Sequence, residues 1–82
     1  MMQKDFSRLI RERHKMSAFV KKALNSEQLL EAYQSRPPYQ QNDYIGWIND
    51  AKKDETKHLR LTQMIEELKK GNVYMKMKYN PR

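Results

Sequence analysis

Residues 36–53 read RPPYQQNDYIGWINDAKK, and the reading of this stretch decides the fold. It carries the chain's only Trp and two of its five Tyr. Pro37 forces the residue before it out of the helical region and so ends any helix arriving from the N-terminal side. Pro38 then suits the first turn of a new helix, where its missing N–H has no intrahelical partner to lose. From there Tyr44, Trp47, Ile48 and Ala51 recur at i, i+3, i+4 and i+7, which places them on one stripe. Gly46 interrupts that helix. A mid-helix Gly costs about 1 kcal/mol relative to Ala, so it points to the close approach of another backbone or to a tolerated position on the wet side.

Working outward, the N-terminal side has no Pro or Gly before Pro37, and the only glycines are Gly46 and Gly71. That is the composition of a helical chain with few tight turns. Phe6, Leu9 and Ile10 follow the helical spacing, as do Met16, Phe19, Val20 and Ala23, and no strong breaker separates the two sets. Asn25 followed by Gln28 reads as a capping box, which predicts a helix start at Asn25. Leu29, Leu30, Ala32 and Tyr33 supply its apolar side.

On the C-terminal side, Asp54 and Glu55 open a helix that Lys69, Lys70 and Gly71 close, each end matching the helix dipole. Leu61, Met64, Ile65 and Leu68 form its stripe, and Leu59 falls nearly opposite. After Gly71 the period becomes two. Val73, Met75, Met77 and Tyr79 alternate with Tyr74, Lys76 and Lys78, which predicts an extended segment with the first set packed and the second in water.

The expected architecture is all-α: a small bundle of three to five short helices with an extended C-terminal segment. At 82 residues the chain is one domain. Its parts are an N-terminal helical segment (1–24), a helical core (25–71) and an extended basic tail (72–82). A chain this short buries only about 60 to 65 per cent of its unfolded surface, which argues against a deep, enclosed active site. There is no Cys, so disulfides and thiolate metal sites are excluded. Charges at positions 4, 5, 8, 11, 12, 13 and 15 leave no apolar core for a secretion signal, and the expected compartment is the cytoplasm. No run reaches the roughly 18 to 20 apolar residues of a membrane span.

The residues 36–52 (RPPYQQNDYIGWINDAK), 55–56 (ET), 60–71 (RLTQMIEELKKG) and 74–77 (YMKM) together resemble the C-terminal helical segment of the YdeI/OmpD-associated, or bacteriocin-protection, family. The resemblance runs from Tyr33 to Met77. The family usually has Pro before Glu-Thr, where this chain has Asp54, and both residues start helices well. The resemblance implies a helical fold, a link to protection against antimicrobial peptides, and a porin as partner.

Chemistry sought along the chain is sparse. His14 and His58 are the only neutral-pH bases, and neither has a partner at a metal-motif spacing. Glu66 and Glu67 are adjacent and diverge by about 100° on a helix. No catalytic residue, cofactor or metal is therefore expected, and the chain reads as a non-enzymatic interaction protein with an unidentified protein partner. The candidates for contacting it are Tyr39, Tyr44, Trp47, Lys69, Lys70, Tyr74, Lys76 and Lys78. The first three, at helical spacing, belong more often to a core than to a groove. The net charge of +7 and the basic, aromatic stretch from Lys69 to Tyr79 open the alternative of a small nucleic-acid-binding protein, although the charge is spread over the chain and not gathered on one helix.

Overall fold

The computed structural model describes residues 14–80. Four helices and one β-hairpin follow in order among the described residues: α1 (Ala18–Ser26), α2 (Leu30–Gln34), α3 (Pro38–Asn49), α4 (Asp54–Lys70), β1 (Val73–Tyr74) and β2 (Met77–Lys78). The expected mainly helical bundle with a C-terminal extension is the architecture found. Phe6, Leu9 and Ile10 lie outside the described residues.

Ser17 caps α1 by accepting from the Val20 N–H at 3.4 Å. Val20 and Leu24 are buried from this helix, with Phe19 and Ala23 packed beside them. The capping box expected at Asn25 is not there, because Asn25 sits in the last turn of α1. Gln28 is left-handed, with φ 59°. The Gln28 N–H reaches the Asn25 carbonyl at 3.1 Å, and the Leu29 N–H reaches the Leu24 carbonyl at 2.8 Å. This pair of bonds is the Schellman closure of a helix, with Leu29 packing near Leu24 as such closures favour. The same two amides, three residues apart, thus mark an end and not a start. The next helix, α2, begins at Leu30 without a side-chain cap.

Pro37 and Pro38 act as their chemistry dictates, Pro37 extended at ψ 148° and Pro38 opening α3. Tyr44, Ile45 and Ile48 of α3 are buried with Leu61, Met64 and Leu68 of α4. Ile45 lies outside the stripe read from the sequence. It is buried because α3 packs between α2 and α4, so more than one face of the helix is covered. Trp47 is only partly buried at the edge of this core. Gly46 is explained by a side chain and not by a backbone. A Cβ there would lie 2.6 Å from Cδ2 of His14, whose main-chain N–H donates to Asn42 Oδ1 at 2.7 Å. Asn49 Nδ2 donates to the Lys15 carbonyl at 3.1 Å, so the chain leading into α1 is laid along α3.

Helix α4 has Asp54 and Glu55 in its first turn, Lys69 and Lys70 in its last, and Gly71 at φ 80° as a left-handed cap. Leu59 is 66% exposed. Beyond Gly71 the expected continuous extended segment is replaced by a tight antiparallel hairpin pairing Val73 with Lys78 and Tyr74 with Met77. Met75 and Lys76 form its turn at φ 50° and 66°. The reversal breaks the alternation. Met77, expected to pack, is 59% exposed, whereas Tyr74, expected in water, lies against the core.

Candidate functional site

A two-residue hairpin turn with both residues left-handed is ordinarily built from Asn, Asp and Gly. Met75 and Lys76 have no such tolerance, and a left-handed non-glycine residue costs roughly 1–2 kcal/mol. The compensation comes from α4. Glu67, buried at 4% exposure, accepts the Met75 N–H on Oε1 at 2.8 Å and the Lys76 N–H on Oε2 at 2.9 Å. The Tyr44 hydroxyl donates to Oε1 at 2.5 Å, and Gln63 Nε2 donates to Oε2 at 3.0 Å. One carboxylate thus receives four donors, two of them the successive main-chain amides of the turn. A buried charge is tolerable only when hydrogen-bonded in this way. Bonds to an ionised acceptor are also the stronger kind.

The main chain of Glu67 is engaged as well. Its carbonyl accepts from Arg36 Nη2 at 3.0 Å, and Arg36 Nη1 donates to Gln40 Oε1 at 3.1 Å. Arg36 is itself buried, and its guanidinium lies 5.0 Å from the centre of the Tyr79 ring. A cation at the end of α4 favours the helix dipole, and the same group covers the strand that returns from the hairpin. Burial, then the bond to the Glu67 carboxylate, push the Tyr44 phenol well above its ordinary value of 10.0. Burial likewise raises the Tyr33 phenol, which donates to the Gln41 carbonyl at 3.3 Å.

Among the residues singled out from the sequence, three tyrosines are brought together. Tyr74 meets Tyr44 edge-on at 5.5 Å and Tyr39 edge-on at 6.0 Å, and its hydroxyl donates to Asp43 Oδ2 at 2.7 Å. Tyr44 has no exposed surface, whereas Tyr39 is 48% exposed. Trp47 stands apart. Arg60 lies 5.3 Å over its ring and donates to its carbonyl at 2.6 Å. Lys69 pairs with Glu27 at 3.1 Å, while Lys70, Lys76 and Lys78 are exposed. The sequence reading weighed Glu67 only as one of two diverging carboxylates, and it passed over Arg36, Gln40 and Asp43. Only Glu67 carried a signal, as an acid inside the apolar stripe of α4, next to Leu68 and three residues after Met64.

A second feature is an open cleft of about 350 Å³ lined by Ser17, Phe19, Ile48, Asn49, Asp54, Lys57 and His58. His58 meets the Phe19 ring edge-on at 4.9 Å. No group of three or more metal-ligating side chains occurs among the described residues. No described helix is long and apolar enough to cross a membrane.

A short helical bundle closed by a hairpin that a buried carboxylate ties down defines a small α-helical module. The particular family is settled by sequence. The chain belongs to the bacteriocin-protection, YdeI or OmpD-associated family, whose profile matches residues 14–71. That match starts earlier than the resemblance read from Tyr33 and stops short of the hairpin. No curated protein and no solved structure matches the chain.

Proposed function

We propose that this protein is a small, non-enzymatic interaction module of the YdeI/OmpD-associated type, serving protection against bacteriocins or other antimicrobial peptides by binding a protein partner. Family membership supports the type. The observation that carries the interaction reading is the hairpin. Its turn is strained, its two main-chain hydrogen bonds to the Glu67 carboxylate hold it in one conformation, and it displays Met77 at 59% exposure between the exposed Lys76 and Lys78. A rigid projection with an apolar centre and charged rim is what recognition uses, since ordering is complete before the partner arrives. The cytoplasm is the proposed compartment.

The test is a photo-reactive residue placed at Met77 in the full chain, expressed in the native cell under peptide challenge. A specific cross-linked protein, together with loss of survival in the Met77→Asp variant, supports the reading. Absence of any protein adduct at Met77 or at a second site, Tyr39, overturns it. So does unchanged survival on deleting the gene. Tight, sequence-dependent binding of nucleic acid promotes the alternative. Unspecific binding at about 10⁻⁴ to 10⁻⁶ M reflects charge alone.

A further inference from the structure

We infer that the outer edge of β2 is a docking strand for an extended, acidic segment of a partner protein. The inference rests on the interaction reading above and specifies its site and partner chemistry. The register decides which backbone groups are free to serve. Tyr74 and Met77 flank the two-residue turn and form a pair, and one step further along, the Tyr79 N–H donates to the Asn72 carbonyl at 2.9 Å. In an antiparallel ladder, hydrogen-bonded and non-hydrogen-bonded pairs alternate. The intervening Val73 and Lys78 pair is therefore the non-hydrogen-bonded one, and its N–H and C=O groups point away from each other.

Val73 belongs to β1, the strand that packs against α4. For Lys78 the outward direction is the open side, since among the described residues the sheet has two strands and β2 has only β1 as its neighbour. The Lys78 N–H and C=O thus form a donor and acceptor pair on an exposed edge, the arrangement that main-chain addition of a third strand requires.

Charge selects the occupant. A second copy of this chain pairing edge to edge sets Lys78 against the same lysine, with Lys76 of each copy close by, and like charges opposite one another are destabilising. An acidic strand sets carboxylates against both and an apolar side chain against Met77. The net charge of +7 draws such a segment in from solution. A nucleic acid is poorly matched here. The Tyr74 ring is packed against Tyr44 and Tyr39 and is not free to stack, and Lys69 is paired with Glu27.

The experiment titrates the ¹⁵N-labelled full chain with a capped peptide of alternating Glu and Val, and separately with one of alternating Lys and Val, with anionic phospholipid vesicles and with a short DNA duplex. The expected result is saturable binding of the Glu/Val peptide alone, a downfield shift and slowed exchange of the Lys78 amide, and about tenfold weaker binding in the Lys76→Glu, Lys78→Glu double variant. Both substituted side chains are exposed, and the variant's thermal midpoint checks that it folds. Perturbations centred elsewhere, equal binding of the lysine peptide, or stronger binding of vesicles or duplex overturn the docking edge. Loss of this inference with a cross-link retained at Tyr39 leaves the interaction module standing. Loss of every cross-link removes both.

Discussion

Replacing Glu67 by Gln tests the central physical claim, because the two side chains have the same shape and differ in what their terminal atoms offer. All four groups around the carboxylate are donors: Tyr44 and the Met75 N–H on Oε1, Gln63 and the Lys76 N–H on Oε2. An amide has one oxygen and one NH₂. If the NH₂ takes the Oε1 position, the Tyr44 hydroxyl turns and accepts, but the Met75 N–H has nowhere to turn. If it takes the Oε2 position, Gln63 reverses its own amide, but the Lys76 N–H faces a donor. Either orientation leaves one main-chain N–H opposed, at about 1–3 kcal/mol, and the charge-assisted character of the other bonds is lost.

The expected destabilisation of Glu67→Gln is therefore about 2–3 kcal/mol, and that of Glu67→Ala, which orphans all four donors, about 3–5 kcal/mol. At roughly 4–8 °C per kcal/mol for a chain of this size, even the Gln variant lowers the melting temperature by about 8–24 °C. Urea denaturation gives the free energy, and amide exchange at Met75 and Lys76 shows where it is lost. A Gln variant within about 0.5 kcal/mol of the wild type, with both turn amides still protected, refutes the reasoning.

Three further outcomes are expected. Tyr44 binds its proton more tightly in the native state than in the unfolded chain, so stability is intact below its ordinary value of 10.0 and falls as pH rises above it. Tyr44→Phe should show a shallower alkaline decline than the wild type in denaturation at pH 9 to 11, and parallel declines would contradict this. Trp47→Ala should cost about 2–3 kcal/mol, less than for a fully buried aromatic, because the ring is only partly covered and the Arg60 contact is lost with it; thermal unfolding reads the value, and an unchanged midpoint would move Trp47 from packing to recognition. Truncation after Gly71 removes the partly buried Val73, Tyr74 and Met75 and should lower stability by about 2–4 kcal/mol after the ordering entropy of the hairpin is recovered, with calorimetry as the measurement.

What the sequence makes legible is whatever its local chemistry forces. Pro37 and Pro38 leave no alternative to a helix end followed by a helix start, and Asp54, Glu55 and Gly71 bound α4 to the residue. Where local chemistry is ambivalent, the tertiary structure decides. Asn25 and Gln28 fit a capping box and a Schellman end equally well on paper; the burial of Leu24 in the core, with Leu29 partly buried against it, selects the second. The hairpin was hidden for a stronger reason. Neither Met75 nor Lys76 favours a left-handed turn, and the group that stabilises it there lies eight and nine residues back, on a helix. The candidate site was legible only where residues are adjacent in sequence. Lys76 and Lys78 stood out as a basic pair, but the Tyr39, Tyr44 and Tyr74 cluster is assembled by the same reversal of the chain.

Glu67 also ties the exposed edge to the core. Its carboxylate holds the turn, its hydroxyl partner Tyr44 is fully buried on α3, and its carbonyl holds Arg36 between α2 and α3. A hairpin of two-residue strands has no independent stability in water. It exists because those contacts exist. Loosening α3 against α4 therefore dissolves the β2 edge along with the core, in one cooperative step and not as a tail that frays first. Amide exchange at Met75 and Lys76 should then proceed at the same free energy of opening as at Tyr44, and faster exchange at the turn alone would show that the carboxylate does not hold it.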